Sequence, residues 1–181
     1  MREVCRTIAP LLRPGTLVMD VGSVKMKPAR ILVEELPEHV ELAATHPMFG
    51  PQSIRSGVPL KIVICPLRGR RIWRAGAFLR HQLGMSVIIS TPEDHDREAA
   101  YTQGLFHFIA GGMLRLDHAP KRITTPSFDL LRKAVDMVRH DAAAVSSAIE
   151  LENPFAEAAR AEFVWHLEAV RLRKDSATAH E

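Results

Sequence analysis

Four short apolar runs separated by helical stretches confine the first half of this chain to an α/β layout. The runs are Thr16–Asp20, Val40–Thr45, Lys61–Cys65 and Ser86–Ser90. Segments this short, bounded by turn residues and alternating with helical patterns, read as buried strands of a largely parallel sheet. The helical stretches are Arg2–Arg13, Pro28–Leu36 and Arg70–Leu83. Pro14-Gly15 stops the first of them, or Pro10 a turn earlier. Strand signals end at Thr91-Pro92. Beyond it, an apolar helical pattern runs over Glu93–Leu116, interrupted by Gly104, Gly111 and Gly112. Two further helices are expected over Phe128–Ser147 and Pro154–Lys174, with a frayed polar end over Asp175–Glu181. The expected organisation is an α/β domain over residues 1–92 and an all-α domain over 93–181.

Composition removes several function classes. Hydrophobic residues make up 46% and charged residues 25%, as in ordinary globular proteins. The net charge of +3 is small and dispersed, which argues against a nucleic-acid partner. The densest basic run, Arg68, Arg70, Arg71 and Arg74, suits a solvated helix start or, alternatively, a phosphate contact. Cys5 and Cys65 are too few for a disulfide framework or a zinc motif, so a reduced, cytoplasmic protein is expected. No apolar run approaches the roughly 20 residues needed to span a bilayer, and Met1–Arg6 lacks a signal-peptide core. The nine histidines contain no His-Glu-x-x-His or other compact ligand spacing, so no metal site is expected.

Two motifs close consecutive strands. Asp20-Val21-Gly22-Ser23-Val24-Lys25 follows the first, at the carboxyl edge where open α/β sheets bind ligands. Gly22 permits a sharp turn or a close approach; Ser23 offers a hydroxyl and Lys25 a cation. The same residues also suit a plain strand-to-helix turn with Ser23 as its cap. His46-Pro47-Met48-Phe49-Gly50-Pro51 follows the second strand. Pro47 stiffens the backbone at His46, whose imidazole, with an ordinary pKa near ~6.5, can share a proton at neutral pH. Alone, such a histidine is more often structural. On neighbouring parallel strands, however, Ser23 and His46 would converge on one crevice.

Together these motifs resemble the signature of prephenate and arogenate dehydrogenases. The likeness continues through Thr91-Pro92-Glu93-Asp94-His95-Asp96, Gln103-Gly104-Leu105-Phe106-His107-Phe108 and Glu152-Asn153-Pro154-Phe155. The resemblance implies a partial Rossmann-type parallel sheet followed by an all-α dimerisation domain. It implies NAD(P)-dependent oxidative decarboxylation of prephenate or arogenate in tyrosine biosynthesis, by a homodimer joined through its helical domain. His46 would be the catalytic histidine, acting on the ring hydroxyl, and Ser23 would orient it. His107, Lys25, Asp96 and Arg132 would contact substrate; Gly22, Ser23 and Pro47 would contact the cofactor. His95 and Asp96 also suit the acidic cap of a long helix. Asp129, close to Arg132, occupies the position where prephenate users often place an arginine, and would suit the amino group of arogenate.

The chain departs from the family in one large respect. The opening strand, Gly-x-Gly-x-x-Gly turn and helix are absent, and with them the residue that selects NAD or NADP. Residues 1–92 therefore read as the C-terminal half of a Rossmann-like domain, short of a complete module by roughly seventy residues. The alternative reading is a non-catalytic dimerisation fragment of such an enzyme.

Overall fold

The computed structural model describes residues 1–50, 59–116, 122–139 and 141–178, with side chains described as far as Leu172. Pro51, the last residue of the histidine motif, and the tip of the expected frayed end lie outside the described residues. The chain divides into two compact units, Met1–Asp96 and Arg97–Glu181.

In the first unit, helix α1 (Arg2–Ile8) passes into a single 3-10 turn, Ala9–Leu11, where Pro10 removes the donor that α-helix would need. Strand β1 (Leu17–Asp20), helix α2 (Met26–Glu35), β2 (Glu41–Pro47), β3 (Lys61–Arg68), α3 (Arg71–His81) and β4 (Ser86–Ile89) follow. The strands lie side by side in chain order. β1 and β2 are parallel, as are β3 and β4, whereas β2 and β3 run antiparallel. The sheet is thus mostly parallel with one reversal, between the two strands that no described helix separates. Parallel neighbours need a crossover long enough to return the chain to the same edge.

β2 is buried on both faces. Leu42 packs with Cys5, Ile31, Leu32, Leu36 and Val40 beneath α1 and α2. Ala43 packs with Ile62, Ile64, Ile72 and Met85 on the α3 side. Period-2 alternation thus sends successive side chains of one strand to opposite layers. Cys5 and Cys65 are free and buried. Burial pushes the Cys65 thiol up to about 12, so it acts as a small core residue.

The helix expected over Glu93–Leu116 is interrupted: α4 (Pro92–Ala99) is followed by a π-helical turn, Ala100–Gly104, and then α5 (Leu105–Leu114). The stretch expected over Phe128–Ser147 is likewise two helices, α6 (Pro126–Val138) and α7 (Ala143–Ser147). A second π turn, Ala148–Glu152, precedes α8 (Ala156–Thr178). Asn153 caps the chain's re-entry into helix, its Oδ1 accepting from the Phe155 amide at 2.9 Å. No helix among the described residues is long and apolar enough to cross a membrane.

Candidate active site

The carboxyl ends of β1 and β2 meet the start of α4 in a buried polar cluster of Asp20, Lys25, Thr45, His46, His95 and Asp96. Parallel pairing sets Asp20 opposite Ala44, which brings Thr45 and His46 to the same edge. Asp20 organises the first turn: its Oδ1 accepts the Thr45 amide at 3.0 Å and its Oδ2 the Gly22 amide at 2.9 Å. The Thr45 hydroxyl donates to the Asp20 carbonyl.

Lys25, the cation that the sequence offers at this edge, lies in the interior. Its side chain is fully buried, and Nζ donates to Asp20 Oδ2 at 2.5 Å and to the Thr45 carbonyl at 2.6 Å. Burial lowers its pKa, and Asp20 opposes that shift by favouring the charged form. Lys25 thereby stitches β1 to β2 from within. Gly22 does not adopt a positive φ. Its need for glycine is local, because a Cβ there would come within 3.2 Å of Asp20 Oδ2.

Asp96, expected at the same edge as a substrate contact, accepts backbone donors at the start of α2. It has no exposed surface, and its Oδ1 and Oδ2 accept the Lys25 and Met26 amides at 2.7 and 2.8 Å. It caps α2 across 70 residues of sequence, supplying negative charge to a helix whose own first residues provide no side-chain cap. Its own helix is capped by Thr91, whose Oγ1 accepts the Asp94 amide at 3.1 Å.

Asp96 Oδ1 also accepts from His95 Nδ1 at 2.8 Å, and His95 Nε2 lies 2.9 Å from His46 Nδ1. The two rings meet edge-on, with centroids 5.1 Å apart. Among the described residues the hydrogen-bonding partner of His46 is thus His95 and not Ser23, which sits half-buried in the turn. Burial first, then the neighbouring His95 and Lys25, push the His46 pKa down to about 3, with Asp96 opposing. His46 lies inside β2, paired with Val63, and half-buried Pro47 ends the strand against Ile62.

The other expected contacts fall in the second unit. His107 is buried in α5, its Nε2 3.5 Å from Asp141 Oδ2. Arg132 is exposed on α6, and Asp129 on the same helix accepts from the Thr124 hydroxyl at 3.2 Å. Sequence reading missed Asp20 and Thr45 as organisers and His95 as the partner of His46. Only the strand-end positions of these residues hinted at their meeting.

The nicotinamide cofactor implied by the resemblance needs donors for its pyrophosphate. The turn between β1 and α2 does not fit it. The amides of Lys25 and Met26 already donate to Asp96, that of Gly22 donates to Asp20, and a second anion would meet the Asp96 carboxylate. No group of metal-ligating side chains occurs among the described residues.

Residues 1–59 match the family model described as prephenate dehydrogenase, nucleotide-binding domain. Over 110 residues the chain is 36% identical to a Methanocaldococcus jannaschii protein named "Probable arogenate/prephenate dehydrogenase", covering 59% of this chain and 24% of that one. It is 35% identical over 131 residues to arogenate dehydrogenase 1, chloroplastic, of Arabidopsis thaliana, covering 66% of this chain and 20% of that one. The chain thus spans about a quarter or less of the length of these two relatives. The fold matches prephenate dehydrogenase from A. aeolicus, solved with hydroxyphenyl propionate and NAD+, at a TM-score of 0.69 and 21% identity, covering 97% of this chain and 66% of that one. Residues 1–59 thus carry the nucleotide-binding domain of the prephenate dehydrogenase family, and over 110 to 131 residues the chain is similar to arogenate and arogenate/prephenate dehydrogenases.

Proposed function

We propose that this chain supplies the proton-handling side of an NAD(P)-dependent prephenate or arogenate dehydrogenase of tyrosine biosynthesis. The observation that carries the reading is His46. It is a buried imidazole at the ligand-binding edge of the sheet, tied through one nitrogen and held neutral at physiological pH. A neutral imidazole is a proton acceptor. In this reading His46 takes the proton of the substrate ring hydroxyl, and loss of carbon dioxide aromatises the ring. A bound nicotinamide would supply the hydride acceptor for that reaction, from outside the β1–α2 turn, whose leading amides are already engaged.

His107 and Arg132 are the proposed substrate contacts of the helical unit, with Asp129 favouring the amino group of arogenate. Two copies of the chain pair through that unit. The second reading, a non-catalytic dimerisation fragment, draws on the occupied amides at the start of α2.

The test joins the chain to the glycine-turn segment of a family member and follows reduced nicotinamide with prephenate or arogenate. Turnover is expected, and His46→Asn should lower kcat by roughly 10² to 10⁴ while changing KM little. A folded fusion inactive on both substrates, or an Asn variant with undiminished kcat, overturns the proposal.

A further inference from the structure

The hydrogen bonds around His46 define where its ring protons sit. Both oxygens of Asp96 accept backbone N–H groups, Lys25 N on Oδ1 and Met26 N on Oδ2, as a carboxylate with no proton of its own does. An ionised carboxylate only accepts, so the 2.8 Å contact from His95 Nδ1 carries the proton on His95. A neutral imidazole has one donor and one acceptor nitrogen. His95 Nε2 is then the acceptor, and the 2.9 Å contact to His46 requires His46 Nδ1 to donate. His46 Nε2 is left bare. Among the described residues no buried side-chain nitrogen or oxygen lacks a partner, so Nε2 keeps an opening to solvent.

We infer that Asp96 and His95 are positioning residues that lock His46 in its Nδ1–H form and present bare Nε2 to a substrate hydroxyl; the identity of that hydroxyl rests on the dehydrogenase reading above. In the step they support, the hydroxyl O–H bond breaks, its proton bonds to His46 Nε2, and the electron pair stays on oxygen. The Nδ1 proton passes to His95 Nε2, so His46 ends neutral and the positive charge rests on His95 against the Asp96 carboxylate. Burial makes a lasting charge on His46 costly. The relay moves that charge one ring away, to a site where a carboxylate already waits. His95 and Asp96 lie 49 and 50 positions beyond His46 in sequence, and the meeting of α4 with the β2 edge brings the three into line.

The experiment reads tautomers directly, by long-range ¹H–¹⁵N correlation on the full chain labelled in its histidines, near neutral pH. His46 and His95 are assigned from the signals lost in His46→Asn and His95→Phe. In the wild type both should be Nδ1–H, His46 by about tenfold over the other tautomer, the preference one hydrogen bond supplies. His95→Phe should release His46 toward the Nε2–H form that a free imidazole favours. His95→Gln, with an amide oxygen near the lost Nε2, should restore Nδ1–H. A wild-type His46 in the Nε2–H form overturns the inference even if neither variant folds, and so does a folded His95→Phe variant whose His46 stays Nδ1–H. An inactive fusion whose His46 is Nδ1–H overturns the dehydrogenase reading and leaves the tautomer assignment standing. An active fusion with Nε2–H overturns the relay alone.

Discussion

An imidazole in water is half-protonated at about pH 6.5, and that ordinary value is what the strand-end position of His46 suggested. Burial, with His95 and Lys25 alongside, moves it to about 3 in the folded chain. Between these two values the unfolded state binds a proton that the folded state refuses. The stability contributed by a neutral His46 is therefore complete above pH 6.5 and is lost as pH falls toward 3, at about 1.4 kcal/mol per pH unit. Urea unfolding should show about 2 kcal/mol of this loss between pH 7.5 and 5, and His46→Asn should flatten that part of the profile. An unchanged slope in the variant would show that His46 titrates normally. Lys25 offers a second residue-scale test. Its buried ammonium has Asp20 and the Thr45 carbonyl as partners, and removing one side of a buried pair typically costs about 3 to 5 kcal/mol. Lys25→Met should lower unfolding stability by that order. Unchanged stability with a raised KM in the fusion enzyme would instead return Lys25 to a substrate-binding role.

At the scale of elements, the start of α2 is the decisive feature. A helix N-terminus behind a strand is a ready anion site, yet here Asp96 arrives from α4 and takes both leading amides. The 181-residue chain alone should accordingly show no micromolar affinity for NAD or NADP by calorimetry. Micromolar binding would mean that another part of the chain forms a pyrophosphate cradle. The helical half shows a different effect of elements on pattern. The apolar periodicity of Glu93–Leu116 reads as one helix, but the backbone widens into a π turn at Ala100–Gly104 and then resumes. One extra residue in a turn shifts the phase of every side chain beyond it, so α4 and α5 need not present a single continuous face. Gly104 sits in that turn, buried, with the Ala99 carbonyl 3.6 Å from where a Cβ would lie.

Across the whole molecule, apolar surface is left over in the helical unit. On α8, Val164, Trp165, Leu167, Val170 and Leu172 are all exposed, Trp165 by 67%. Phe108 and Leu114 on α5 and Leu130 on α6 are exposed as well. A helix with apolar residues around its circumference is normally covered, and obligate interfaces commonly bury roughly 2,000 Å² or more. This supports the proposed homodimer through the helical unit. Light scattering at micromolar concentration should give twice the chain mass, and Trp165→Glu should weaken the association. A wild-type monomer would end the proposal.

Local pattern by itself determined the element types: four strands in order, a change to helix after Thr91-Pro92, and the likeness to the dehydrogenase family, because Asp20–Lys25 and His46–Pro51 are contiguous words whose spacing survives in one dimension. Strand period and helix period are local properties, so they can be read without the fold. The antiparallel return of β3 and the π turns depend on how the chain packs, and only the tertiary structure decided them. The same holds for the assignments of Lys25, Asp96 and His95. Each side chain's role depends on which partner satisfies its charge or its hydrogen bonds once water is excluded. Those partners lie up to 71 residues away, at distances along the chain over which no local pattern carries information.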